Sequence, residues 1–219
     1  MKAWGIRGLL IIIALTVIPV LQAETPAGKN PAESALNRLT PEQQKKLLAG
    51  QEVYEPRLAD ESKAGGEKSY SAAAMIIINA PVEQCFKMFC DFEKQYLFFP
   101  AITTSKVLSR SEDRVVIYKE LDYRVIVIRY THILTVDPKS HRVDFETDPN
   151  GANDVKFSRG FFQFEKIDDN RTLFTYGLIK LDPGIKIPEF IQNYMSSRDL
   201  PKMSVNLKKW IESGGKWKK

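Results

Sequence analysis

Histidine is scarce in this chain. Only His132 and His141 occur among 219 residues. His132 follows Tyr130 by two positions, and residues two apart on a strand share a face. A phenol and an imidazole side by side could hold a carbonyl or hydroxyl of a guest. On a solvent-facing strand the same pair would do nothing, and the parity around Arg129 leaves both readings open. Ser158 has Arg159 beside it, but no sequence feature couples it to a histidine, so no nucleophile with a positioned base is legible. Acid–base chemistry would need a pairing such as His132 with Tyr118 or Asp122. Neither histidine stands at zinc-type spacing from a cysteine, so no metal and no cofactor is expected. Cys85 and Cys90 fall five apart on one predicted helix, which sets their Cα atoms roughly 8–9 Å apart. A disulfide needs less than about 7 Å, so two unpaired, at least partly buried thiols are expected.

The elements that must position these groups can be read along the chain. An apolar strand ends in Met75-Ile76-Ile77-Ile78, and Pro81 starts a helix with Val82, Cys85, Phe86 and Phe89 on one stripe. Phe92 to Phe99 reads as a second short helix or set of turns, closed by Pro100. From Ile102 to Leu181 strands alternate with turns: Ile102–Ser109, Arg114–Asp122, Arg124–Val136, His141–Thr147, Val155–Ile167 and Thr172–Leu181. Short connections force antiparallel neighbours, because a parallel partner needs a crossover of about a dozen residues. Pro188 begins helical structure again, with Phe190, Ile191 and Tyr194 as a first apolar patch and Pro201 kinking or dividing the helix. Leu200, Met203, Leu207, Trp210 and Ile211 continue it to Gly214-Gly215. Upstream, Thr40, Pro41 and Gln43 form a capping box for a helix with Leu47 and Leu48 on its apolar face, stopped by Gly50. Gln51 to Leu58 reads as an edge strand, because Pro56 bars a central place.

The composition is that of a globular protein: 43% hydrophobic, 27% charged, net charge +5. No basic stripe with a reader motif is present, which argues against nucleic-acid binding. Lys2 and Arg7 precede an uncharged apolar run from Gly8 to Leu21, and Leu21-Gln22-Ala23 offers a cleavage site. This reads as an export signal, with an uncleaved anchor as the other possibility.

A sheet of six or seven antiparallel strands cannot be covered by one helix unless it curls around that helix. The expected architecture is therefore α+β, a helix-grip fold: a curved antiparallel sheet around a long C-terminal helix, with two short helices after the first strand. Ligand sites are common at the mouths of such sheets. Ile78-Asn79-Ala80-Pro81-Val82-Glu83-Gln84-Cys85-Phe86 with Asp91 to Pro100, Gly160-Phe161-Phe162-Gln163-Phe164, Arg171 to Tyr176 and Pro188 resembles START-like (SRPBCC) domains. It is most similar to their coenzyme Q-binding and polyketide cyclase branch. The resemblance spans about residues 70–213, and the helix around 40–50 is similar to a leader in exported bacterial members. Cys85 stands where that family usually has a larger apolar residue.

The resemblance implies an exported, periplasmic protein: signal peptide 1–23, extension 24–69, START-like domain 70–214 and basic tail 215–219. It implies non-enzymatic binding or carriage of a lipid, quinone or sterol-like ligand. A cyclase/aromatase-type enzyme and an envelope interaction module with a vestigial pocket are the alternatives. Candidate ligand-binding residues are Tyr118, Tyr130, His132, Phe162, Tyr176, Phe99 and Tyr194, with Phe98 and Phe99 as a gate. The lysine- and tryptophan-rich segment Lys208 to Lys219 reads either as a transient membrane contact or as a frayed tail with Trp210 packed inside.

Overall fold

A computed structural model describes residues 36–58, 70–182 and 199–219. Pro188, Phe190, Ile191 and Tyr194, and the N-terminal apolar run, lie outside the described residues.

Helix α1 (Pro41–Leu48) begins with the capping box: Thr40 and Gln43 exchange side-chain and backbone hydrogen bonds. Gly50, at φ 77°, lets the chain leave the helix. Strand β1 (Val53–Leu58) pairs along its whole length with β2 (Tyr70–Ile78). Helix α2 (Val82–Phe89) buries Val82, Cys85, Phe86 and Phe89, the stripe expected from helical spacing. A 3₁₀ helix follows at Phe92–Leu97. Six strands form the meander: β3 (Ile102–Arg110), β4 (Arg114–Asp122), β5 (Val127–Asp137), β6 (Arg142–Thr147), β7 (Phe157–Asp168) and β8 (Arg171–Asp182). Helix α3 (Leu200–Glu212) closes the described chain.

All eight strands form one antiparallel sheet in the order β1-β2-β8-β7-β6-β5-β4-β3. The expected count of six or seven is corrected by β1, which joins the same sheet at its edge. Pro56 is tolerated there because an edge strand has one unpaired side. Strand β2 lies against β8, so the meander folds back onto the first long strand. Register shifts interrupt the β3–β4 and β7–β8 ladders, and such bulges bend a strand. At Gly160 the bend brings two backbones together. A Cβ there would stand 2.2 Å from the Gly177 carbonyl oxygen and 2.5 Å from the Phe145 ring.

Two local expectations are corrected. Strand β5 starts at Val127, not Arg124, because Tyr123–Ile126 is a hairpin turn with Arg124 at φ 67°. The Asp122 carboxylate accepts from the Arg124 N–H in that turn. His141, at φ 51°, belongs to the turn before β6. Pro201 sits in the first turn of α3, where its missing N–H costs no helical hydrogen bond; the stretch before Asp199, which a kink or division would involve, lies outside the described residues.

The two faces of the sheet are unequal. The larger core gathers α2, the 3₁₀ segment and α3 over β2, β4, β5, β6, β7 and β8. On the other face Leu47 of α1 packs with Val53, Met75, Ile77, Ile167 and Leu173. Leu48, expected on the same apolar face of α1, is exposed. Arg38 fastens this end of the chain to β7 through a two-pronged ion pair with Glu165.

Candidate functional site

Strand alternation decides which side chains enter the larger core. On β4 they are Val115, Ile117 and Lys119, and on β5 His132 and Leu134; Ile128 and Tyr130, on the same face of β5, pack in a smaller cluster with Val155. The ladders then line up inward residues across strands. Ile117 faces His132 and Lys119 faces Tyr130, His132 faces Thr147, and Phe162 faces Tyr176. Glu146 pairs with Arg159, which sets Thr147 beside Ser158.

The result is a buried polar row. His132 Nε2 and Ser158 Oγ are 2.7 Å apart, and Ser158 Oγ and Thr147 Oγ1 are 3.0 Å apart. The Ser158 N–H donates to Thr147 Oγ1 at 2.8 Å. Tyr130 packs against the His132 ring at 4.4 Å, and His132 stacks on Phe145 at 5.0 Å. Phe145 continues to Phe162 at 5.2 Å, and Phe162 to Tyr176 at 4.7 Å. Phe99 meets Phe162 edge-on at 6.2 Å.

Lys119 enters the same space. It is 2% exposed, and its Nζ lies 5.1 Å from the centre of the Phe99 ring. Among the described residues it makes no hydrogen bond or ion pair. Burial drives its pKa down to about 7, because a charged amine is poorly solvated in the interior. Burial first, and then the Lys119 charge, push His132 well below the usual imidazole range, so it is neutral. Burial raises the Tyr130 and Tyr176 hydroxyls above the ordinary phenol range. Both tyrosine side chains are only partly buried. Tyr123 extends the polar end by donating to Asp199 Oδ2 at 2.8 Å, where α3 begins.

Five of the residues singled out from sequence therefore share one surface: Tyr130, His132, Phe162, Tyr176 and Phe99. Tyr118 does not join them. It stands on the opposite face of β4 and donates to Glu120 Oε1 at 2.8 Å, because its neighbours Ile117 and Lys119 take the inward positions. Tyr194 lies outside the described residues. The acid–base pairing of His132 with Tyr118 or Asp122 is not assembled, since Asp122 is exposed in the hairpin turn. His132 faces inward, and its partner is Ser158. Sequence reading missed Lys119 and Thr147 and could not couple Ser158 to a histidine; only the cross-strand register brings them together. Phe98 is fully buried against Phe89 and Trp210, so it is core, whereas Phe99 keeps partial access.

The rest of the interior is tightly filled. Phe89 meets Phe162, Phe164 and Phe174 at 4.7–6.2 Å, and Phe89, Phe92, Phe98, Phe164 and Phe174 are all fully buried. Cys85 is a buried free thiol and Cys90 a half-buried one. Burial pushes their pKa values up to about 11 and about 12, so neither is a thiolate at neutral pH. The segment after α3 is packed, not frayed. Trp217 lies half-buried against the core, and the Lys219 ammonium donates to the carbonyls of Phe99, Pro100 and Ile102 at 2.5–3.0 Å. Among the described residues no group of His, Cys, Asp and Glu could hold a metal ion, and no helix is long and apolar enough to cross a membrane.

This arrangement sets a few hydrogen-bonding groups beside an aromatic surface. Known structures share the architecture. The chain is similar to the Zhui aromatase/cyclase from Streptomyces sp. R1128, at TM-score 0.56 and 15% identity over 66% of this chain and 94% of that one. It is similar to a STAR-related lipid transfer protein from Xanthomonas axonopodis, at TM-score 0.53 and 14% identity over 72% and 98%. Human StAR-related lipid transfer protein 5 gives TM-score 0.54 and 10% identity over 75% and 83%. The fold is thus START-like, a helix-grip type of α+β fold. No family model matches the sequence, and no match was found among curated proteins.

Proposed function

We propose that this protein binds and carries a small apolar ligand with one polar end, without catalysing a reaction on it. The ligand lies between the inward face of β4–β8 and the helical cover, its apolar body against Phe99, Phe145, Phe162 and Tyr176. Its polar end meets Tyr130, His132 and Ser158. The observation that carries this reading is the pairing of an aromatic wall, in which Phe99 and Tyr176 keep partial access, with a buried row of neutral hydrogen-bonding groups. Such a mix of apolar lining and a few convergent polar groups is typical of ligand sites. Structural similarity to both lipid transfer proteins and an aromatase/cyclase supports apolar guests in general. Carriage is favoured over cyclisation because the acid–base pair expected of an enzyme is not assembled.

Lys2 and Arg7 followed by the apolar run from Gly8 to Leu21 support export to the periplasm. Loading and release there would involve transient contact with a membrane. The quinone-binding branch remains part of the proposal on its motifs alone. Native mass spectrometry of protein purified without detergent, followed by organic extraction, tests the reading. A co-purifying apolar molecule is expected. Recovery of none, with no uptake of a fluorescent fatty acid or quinone analogue, would overturn it.

A further inference from the structure

Lys119 is a buried cation that no carboxylate among the described residues offsets. It is 2% exposed, and among the described residues it has no hydrogen-bond or ion-pair partner. A buried, unpaired amine is costly to a fold. Its place could be taken by an apolar residue, since Val115 and Ile117 occupy the preceding inward positions of β4.

The groups around it come from several elements. Tyr130 faces it across the β4–β5 ladder, and His132 is the next inward residue on β5. Phe99 covers its Nζ with a ring face. Glu120, its neighbour in sequence, is on the other face, held by Tyr118 and Thr104 and near Arg129. At the start of α3, Asp199 accepts from Tyr123, and its field is felt at Tyr176 and Lys219. No carboxylate among the described residues shifts Lys119. Among the described residues the site therefore offers one cation with no carboxylate paired to it, a neutral imidazole and hydroxyl groups, while the nearby Asp199 carboxylate is engaged by Tyr123.

We infer that the ligand brings the anion: it is an amphiphile with a carboxylate head, and Lys119 is its counter-ion. This rests on the reading of the interior as an apolar-ligand site and names the class of ligand. One enclosed cation matches a monoanion. A phosphate monoester carries about −1.5 to −2 charges, more than a single lysine offsets out of water. A carboxylate pairing with a buried amine also gains most where water is excluded. The Ser158 and Tyr130 hydroxyls are placed on the same inward surface to satisfy the second carboxylate oxygen.

The test is calorimetric titration of the full chain with three probes of equal length: tetradecanoate, tetradecanol and tetradecyl phosphate. Tetradecanoate should bind at least tenfold more tightly than the alcohol and more tightly than the phosphate. Lys119→Met should remove the preference for the acid over the alcohol. At pH 8, titrations in two buffers of different ionisation enthalpy should show uptake of close to one proton with tetradecanoate. None is expected with tetradecanol or in the variant. This readout does not depend on how well the variant folds. Equal binding of acid and alcohol, tighter binding of the phosphate, or no proton uptake would overturn the inference alone. Binding of none of the three probes would overturn it together with the apolar-ligand reading.

Discussion

The two ends of the interior are built on opposite principles. Under α2 and the 3₁₀ segment, phenylalanines from four elements fill the space: Phe89, Phe98, Phe164 and Phe174 are each about fully buried. At the β4–β5 end the inward residues are Lys119, Tyr130 and His132, and Tyr130 keeps accessible surface. The first end gains its stability from close packing, with aromatic pairs adding about 0.5–1.5 kcal/mol each beyond burial. The second end costs stability, since an enclosed charge and polar groups replace what could be apolar contacts. A protein that needed only to fold would fill both ends alike. The contrast sets the polar end apart as a part that packing alone does not explain, and the phenyl end as the anchor that offsets its cost.

That contrast can be broken at either end. The largest effect is expected from Phe89→Ala, which leaves a cavity among the rings and should destabilise by about 3–5 kcal/mol in denaturant titration. If it cost less than about 1 kcal/mol, the phenyl end would not be the anchor.

Lys119→Met should act in the other direction and raise the stability of the ligand-free protein by a few kcal/mol. The pH profile sharpens this. The folded pKa of Lys119 is lowered to about 7 from 10.5. Between those values the unfolded chain binds a proton that the folded chain does not, so stability rises with pH across this window. Below pH 7 the full cost is present. The variant should lose that rise, measured by thermal melts from pH 7 to 10. His132 titrates on the other side. Its folded pKa is lowered below 6.5, so it draws stability down as the pH falls through 6.5 and below. His132→Phe should flatten the acid limb.

Ser158→Ala comes next. It removes the group that joins His132 to Thr147 and should cost about 1–3 kcal/mol, because buried partners lose their hydrogen bonds. The smallest effect is expected from Tyr176→Phe. Among the described residues its hydroxyl has no hydrogen-bond partner, so stability should change by less than about 0.5 kcal/mol. Any loss of ligand affinity in this variant then reports on the site and not on the fold.

Much of the architecture was legible locally. The stripe Val82, Cys85, Phe86 and Phe89 predicted its own burial, because helical spacing leaves one face apolar. The Thr40–Gln43 capping box and Gly50 bounded α1 as read, since caps are decided by neighbouring residues. The hairpin at Tyr123–Ile126 escaped, because no glycine or asparagine marks Arg124 as a left-handed turn residue. On β4 both parities carry apolar side chains: Val115, Ile117 and Leu121 on one, Val116 and Tyr118 on the other. Alternation alone could not place Lys119, and Tyr118 looked like the wall.

The chain by itself settled its elements, their order and their antiparallel pairing, because those follow from periodicity, turns and connection length. Tertiary structure alone decided that Lys119 is inside and that His132 meets Ser158, 26 positions away. The reason is register. A one-residue slip would send every side chain of a strand to the other face, and that choice is made jointly by strands and covering helices, not within any one segment.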